Sequence, residues 1–233
     1  MKISISYPPI INDFGQTAMV SQNRNVQYFK KPTYLLPVIH AQAASLLKKN
    51  NYNIFWDDGN ADMLSFDNWL TRLTEYKPDL IVLESTTPVM KFMWKVTDKL
   101  KKLLPNSIIV MTGYHSMRSP HETLLNSSTD IVIKSNHVDF MLLRLCNNLR
   151  EVSNLSDLKL DGITIKIDND IKDFGSFRLT ENIEDSAIID RDLVKWKNYA
   201  YENGNFLRTP GTYATSVIRD CLFGKCVFCR YNG

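Results

Sequence analysis

The chain has 233 residues, an apolar fraction of 44%, a charged fraction of 23% and a formal net charge of +3, values that are ordinary for a globular domain. A charge this small provides no strong basic field, so nucleic acid is not an expected partner. No apolar run approaches the roughly 20 residues of a membrane helix. The N-terminus is typical of a first strand rather than a signal peptide, so we expect no membrane span and a cytoplasmic location.

Strand-like and helix-like segments alternate over the first 150 residues or so. Strand patterns fall at 2–7, 52–60, 78–86, 106–113 and 129–135, and helical patterns follow at 33–51, 65–77, 89–104, 119–128 and 138–152. Ser65 is placed to cap the second helix, and residues 8–31 are expected to form a long polar loop. Five such units predict a Rossmann-like, doubly wound α/β fold with a five-stranded parallel sheet. Ligands of such sheets lie beyond the carboxyl ends of the strands.

The pattern changes after residue 152. Residues 162–174 are typical of a β-hairpin, and residues 189–204 are polar and suit a helix or an irregular connector. A further strand-like run, 212–221, leads into three cysteines. We therefore predict a Rossmann-like domain at 1–152, a small β extension with a connector at 153–210, and the start of another domain at 211–233.

Three of the four cysteines form a tight cluster, Cys221, Cys226 and Cys229. Without a signal peptide, such a cluster indicates metal binding or redox chemistry rather than disulfides. Three thiolates can ligate three irons of a cubane cluster and leave the fourth iron open. Zinc is the alternative, but it needs a fourth ligand. Cys146 stands apart in an apolar helical segment, so it is predicted to be a buried small hydrophobe.

The stretch ATSVIRDCLFGKCVFCRY resembles the cluster motif of radical S-adenosylmethionine enzymes. In that motif the cysteines follow the first strand of a barrel, and an aromatic residue precedes the third cysteine, as Phe228 does here. The usual motif has three residues between the first two cysteines, whereas this chain has four. Together with the preceding α/β domain, the order resembles the cobalamin-binding subgroup, relatives of the anaerobic magnesium-protoporphyrin monomethyl ester cyclase.

This resemblance implies a [4Fe-4S] cluster on Cys221, Cys226 and Cys229, with Phe228 beside the cofactors and S-adenosylmethionine on the open iron. It implies a methyltransferase- or cyclase-like enzyme that cleaves S-adenosylmethionine reductively. The barrel would begin near Tyr213, so its remaining strands are missing. We therefore expect an N-terminal portion that is inactive alone and that could need a separate chain carrying the rest of the barrel.

The resemblance also implies cobalamin in the first domain. Ser85 and Thr87 follow the third predicted strand, and Gly113 and His115 follow the fourth, where the family contacts cobalamin. The family's Asp-x-His-x-x-Gly loop is replaced by PPIINDFG, which has no histidine to bind cobalt. The family's Gly-Glu-Gly-Glu loop after the fifth strand is replaced by KSNH.

Structural roles for the same residues stay open. Ser85 and Thr87 could cap a helix, Gly113 could serve a turn, and His115 could be an ordinary histidine. His40 and His121 are predicted to be structural, and Asp57-Asp58-Gly59 is predicted to form a turn rather than a cation site. Two other functions also stay open, a stand-alone cobalamin or nucleotide carrier with a vestigial cysteine tail, and a zinc-tailed interaction protein.

Overall fold

A computed structural model describes residues 1–20, 26–30, 34–168, 170–200 and 225. Cys221, Cys226, Phe228 and Cys229 therefore lie outside the described residues, and their roles stay predictions. The strands are β1 (Lys2–Tyr7), β2 (Thr17–Val20), β3 (Val26–Phe29), β4 (Asn53–Asp58), β5 (Leu80–Glu84), β6 (Ile108–Thr112), β7 (Ile131–Ile133), β8 (Ile163–Ile167) and β9 (Asp170–Asp173). The helices are α1 (Val38–Lys49), α2 (Phe66–Tyr76), α3 (Met90–Leu103), α4 (Tyr114–Arg118), α5 (Pro120–Leu125), α6 (Val138–Glu151) and α7 (Lys197–Ala200).

A seven-stranded sheet with the order β4-β1-β5-β6-β7-β8-β9 forms the frame of the domain. Strands β4, β1, β5, β6 and β7 are mutually parallel, which confirms the predicted five-stranded parallel sheet. The hairpin predicted at 162–174 is present as β8–β9, which is antiparallel and joins the same sheet beyond β7. Counted along the chain, the parallel strands have the order 2-1-3-4-5, so the connections change direction beside β1, where such sheets bind ligands.

The core lies on both faces of the sheet. On one face, α1 and α6 pack together, with Ala44 and Leu47 beside Met141 and Leu145. On the other face, Trp69 of α2 belongs to the same buried cluster as Met93 and Leu100 of α3. Because helices cover both faces, the central strands are apolar without alternation, and Leu80 to Leu83 are all fully buried.

Cys146 is fully buried within the α1–α6 face of the core. Burial raises the pKa of its thiol to about 12, so the group stays protonated and unreactive. The prediction of a buried small hydrophobe is confirmed.

The structure differs from the predicted element pattern in several places, including α4, which lies in a segment predicted to be a loop. The segment predicted as a loop from 8 to 31 contains an antiparallel hairpin, β2–β3; its strands have four residues each, which is too short for a clear periodic signal. The first helix begins at Val38 rather than near residue 33, because Pro37 precedes it and disfavours helical backbone at Leu36. Ser65 caps α2 as predicted, and its side chain accepts a hydrogen bond from the Asn68 amide.

Within the described ranges, no helix combines the length and the apolar character needed to cross a membrane.

Candidate cofactor site at the carboxyl edge of the sheet

The ends of β5 and β6 lie side by side, and the loops that follow them form the candidate site. Glu84 pairs with Thr112 in the sheet register, and the Ser85 amide continues the ladder by donating to the Thr112 carbonyl at 3.0 Å. The structure therefore brings together Ser85, Thr87, Gly113 and His115, the four described residues that were predicted to bind cofactor. Whether they do so stays a prediction.

Ser85 joins the two loops through its hydroxyl. The side chain is buried, donates to the Thr112 carbonyl at 3.2 Å and shares a hydrogen bond with the Ser116 hydroxyl. Because these partners occupy it, the Ser85 hydroxyl holds the loop in place rather than pointing freely toward a ligand.

Gly113 is required by the geometry of these loops. Its φ is +93°, and a Cβ added there would lie 2.3 Å from the carbonyl oxygen of Ser85 and 2.9 Å from its amide nitrogen. Any side chain would therefore combine an unfavourable backbone conformation with a collision. The close approach visible in the structure is between the two loops, and an approach to a ligand remains a prediction.

Thr86 is the residue of this loop that sequence reasoning missed. It is 3% exposed, and its hydroxyl has no hydrogen-bond partner among the described residues. A buried hydroxyl without a partner is costly, so it often marks a position that a ligand or water completes. No sequence signal distinguishes Thr86 from its neighbours, since the run Ser85-Thr86-Thr87 offers three hydroxyls.

Thr87 and His115 contact each other across the two loops. The Thr87 hydroxyl lies 3.2 Å from Nδ1 of His115, and Nε2 of His115 lies 3.4 Å from a carboxylate oxygen of Glu122. Glu122 belongs to α5, so His115 links that helix to the end of β5. Both ring nitrogens of His115 thus face protein groups in this structure.

A buried polar network lies where β1, β5 and β6 end. Tyr7 donates to Glu84 at 3.0 Å, and Nδ1 of His40 lies 3.3 Å from the same Glu84 oxygen. Nε2 of His40 lies 2.7 Å from the Thr112 hydroxyl. Burial and the neighbouring Glu84 charge raise the pKa of Tyr7 well above its usual value, so Tyr7 remains a donor. His40 thus has a structural role, as predicted, and ties α1 to the sheet edge.

The two carboxylates at the end of β4 are bonded within the protein. Asp57 pairs with Arg72 and accepts from the Ser6 hydroxyl, while Asp58 accepts from the Asn60 and Ala61 amides and from the Tyr199 hydroxyl. Burial raises the pKa of Asp58 to about 6. The turn predicted at Asp57-Asp58-Gly59 begins only at Gly59, because both aspartates belong to β4. In the part of the chain that the structure describes, no group of three or more His, Cys, Asp or Glu residues is arranged to hold a metal.

Two curated proteins resemble this chain in sequence. It is 25% identical over 199 residues to the anaerobic magnesium-protoporphyrin IX monomethyl ester cyclase of Cereibacter sphaeroides, covering 83% of this chain and 31% of the cyclase. It is 23% identical over 193 residues to an uncharacterised methyltransferase of Pyrococcus horikoshii, covering 83% of this chain and 40% of that protein. The chain therefore spans about a third of the length of these relatives. No protein-family model matches it.

Solved structures with the same fold include two cobalamin-dependent or radical S-adenosylmethionine enzymes. The match to OxsB, which was solved with aqua-cobalamin and S-adenosylmethionine, covers 76% of this chain and 22% of the OxsB chain. Its TM-score is 0.56 and the sequence identity is 16%. The match to the methyltransferase TsrM of Kitasatospora setae, which was solved with cobalamin and a [4Fe-4S] cluster, covers 80% of this chain and 30% of the TsrM chain. Its TM-score is 0.56 and the sequence identity is 10%. The chain thus resembles the cyclase in sequence and shares an α/β fold with part of OxsB and TsrM.

Proposed function

We propose that this chain is the cobalamin-binding and cluster-bearing portion of a radical S-adenosylmethionine enzyme of the methyltransferase or cyclase type. The observation that carries the proposal is the fold shared with OxsB and TsrM over three quarters of the chain. The sequence likeness to the cyclase, which reaches across 83% of this chain, supports it.

The proposal assigns three parts to the chain. Residues 1–152 would bind cobalamin, residues 153–210 would connect, and residues 211–233 would begin the barrel with the cluster loop. Because the chain spans about a third of its curated relatives, the proposal includes that this stretch alone turns over no substrate and requires further barrel strands, from the same or a separate chain.

The residues at the ends of β5 and β6 fit a bound cofactor. The partnerless Thr86 hydroxyl is a buried group that a polar atom of cobalamin would satisfy. Thr87 and His115 lie on the loops around it, and Gly113 lets those loops meet. Ser85 would act by holding the loops together. The first loop offers no histidine to the cobalt, and its Asp13 is exposed in this structure.

The three clustered cysteines supply a donor set that suits a [4Fe-4S] cluster. Thiolates of Cys221, Cys226 and Cys229 would hold three irons and leave the fourth for S-adenosylmethionine, with Phe228 packed beside it. When bound, the cluster supplies the electron for reductive cleavage of S-adenosylmethionine, and cobalamin supplies a methyl carrier. The role left to the chain is to position these groups and to exclude water from them.

Anaerobic reconstitution tests the proposal. The chain, purified without oxygen and supplied with iron and sulfide, should hold about four irons, as a [4Fe-4S] cluster does. Its reduced electron paramagnetic resonance spectrum should change when S-adenosylmethionine is added. The triple variant Cys221→Ala, Cys226→Ala, Cys229→Ala should lose the iron, whereas Cys146→Ala, a cysteine buried in the core, should keep it. One zinc and no iron in the native protein would instead support the zinc-tailed alternative.

A further inference from the structure

A cleft of about 380 Å³ opens at the carboxyl end of β7. It lies between α4, the loop after β7 and the segment that follows β9. Its volume falls within the range of small-molecule pockets. The lining residues are Met117, Arg118, Lys134, Ser135, Asn136, His137, Gly175, Ser176, Phe177 and Leu179.

The lining is rich in hydrogen-bond donors and basic groups. Arg118, Lys134 and His137 are basic, and none of the residues that line the cleft is acidic. Two serine hydroxyls and one amide side chain lie among them. Such a set of donors around one cavity favours an anionic group with several acceptor oxygens.

Lys134 is held in place at the cleft. Its side chain is 15% exposed and pairs with Asp173, which also accepts from the Thr164 hydroxyl at 3.1 Å and the Gly175 amide at 2.7 Å. Partial burial opposes ionisation of Asp173, but the bonds from Lys134 and Gly175 outweigh it and lower the pKa of the carboxyl. Asp173 faces one of the three N–H donors of the Lys134 ammonium.

The apolar wall of the cleft is also fixed. The Phe177 ring lies 5.9 Å from the His137 ring and 4.7 Å from the Arg144 guanidinium. Gly162 makes room for it, since a Cβ there would lie 2.7 Å from Cβ of Phe177. Met117 and Leu179 complete the apolar part of the lining. A ligand therefore meets a prebuilt surface with one cationic and one apolar side.

We propose that this cleft binds a small organic phosphate monoester. Its phosphate would lie among Arg118, Lys134 and the serine hydroxyls, because a guanidinium and an ammonium together match a doubly charged group with three free oxygens. Its carbon portion would contact Phe177, Met117 and Leu179. This binding site goes beyond the proposed function, which assigns no ligand to the cleft.

Isothermal titration calorimetry with three probes tests the proposal. Adenosine 5′-monophosphate should bind saturably, adenosine at least about tenfold more weakly, and inorganic phosphate more weakly than the monophosphate, since charge and apolar contact each contribute. Raising the salt concentration should weaken binding of the monophosphate. Arg118→Gln should weaken it at least about tenfold, whereas Lys172→Gln, which removes one charge from an exposed position on β9, should leave it unchanged.

A second variant protects the test against a folding defect. Ser176→Ala changes an exposed loop residue and should also weaken binding, with an unchanged circular dichroism spectrum. Absence of saturable binding of the monophosphate, or equal binding by wild type and both variants, would overturn the proposal. Equal affinity for inorganic phosphate and for the monophosphate would overturn the proposed contact between the carbon portion of the ligand and the apolar side of the cleft. None of these readouts depends on cobalamin or on the cluster, so failure here is distinct from failure of the proposed function.

Discussion

The Cβ position of Gly113 lies 2.3 Å from the carbonyl oxygen of Ser85. The loops that end β5 and β6 are therefore packed backbone against backbone, and the candidate site is built on that contact. Substitutions that separate the two loops should therefore affect the candidate site more than they affect the rest of the sheet.

Gly113→Ala should lower the free energy of unfolding by roughly 2–5 kcal/mol, since it adds a collision in a packed region to left-handed backbone strain. Gly15→Ala is the matched control, because Gly15 has a φ of +71° but nothing within 4 Å of its Cβ position. In that control the free energy of unfolding should fall only by the cost of the left-handed backbone conformation, about 1–2 kcal/mol. Urea denaturation of both variants measures the difference, and equal losses would contradict the loop contact.

Thr86→Val should leave the free energy of unfolding unchanged or raise it by up to about 1 kcal/mol, because it removes a buried hydroxyl that lacks a partner. Thr123→Val is the control, since that buried hydroxyl donates to the Ser119 carbonyl at 3.0 Å. The control should lose about 1 kcal/mol. A comparable loss in both variants would show that the Thr86 hydroxyl has a partner in the cofactor-free protein.

Tyr7→Phe should lower the free energy of unfolding by roughly 1.5–3 kcal/mol, the typical contribution of a hydrogen bond to a charged acceptor. The lost bond is the one to Glu84, in the network that also holds His40. Tyr76→Phe removes an exposed hydroxyl bonded to Asn53 at 3.2 Å and should cost less than about 1 kcal/mol. Thermal or urea unfolding of the two variants measures the difference. If Tyr7→Phe lowers the free energy of unfolding no more than Tyr76→Phe does, the network is contradicted.

The titration of Asp58 should lower the free energy of unfolding as the pH rises. Burial raises its folded-state pKa to about 6 from an ordinary value of 3.8, so between about pH 4 and 6 the folded protein binds more protons than the unfolded chain. Stability then decreases with pH across that window. Asp58→Asn removes the titration, so the free energy of unfolding of wild type should fall relative to the variant from pH 4 to pH 7. A difference that stays constant with pH would contradict the buried carboxyl.

The fold was largely predictable because its signals are local. Leu80 to Leu83 form an apolar run typical of a strand buried on both faces, and Ser65 caps a helix that begins at the next residue. The hairpin β2–β3 was missed because four-residue strands carry little periodicity.

The location of the candidate residues was predictable, but their contacts were not. Strand ends located Ser85, Thr87, Gly113 and His115, since parallel strands place their loops at one edge. Whether a hydroxyl has a hydrogen-bond partner depends on contacts between residues that are distant in sequence, such as Ser85 with Ser116. The sequence therefore gives no sign that the Thr86 hydroxyl lacks a partner. The cysteine cluster lies outside the described residues, and its role rests on spacing and resemblance.

Titration of the chain with aqua-cobalamin, followed by its visible absorption, tests the central claim most directly. The account predicts saturable binding of one cobalamin per chain, weakened at least about tenfold in Thr86→Val and unchanged in Thr71→Val, an exposed threonine on α2. Absence of saturable binding, or equal affinity in wild type and Thr86→Val, would contradict the assignment of cobalamin to the ends of β5 and β6.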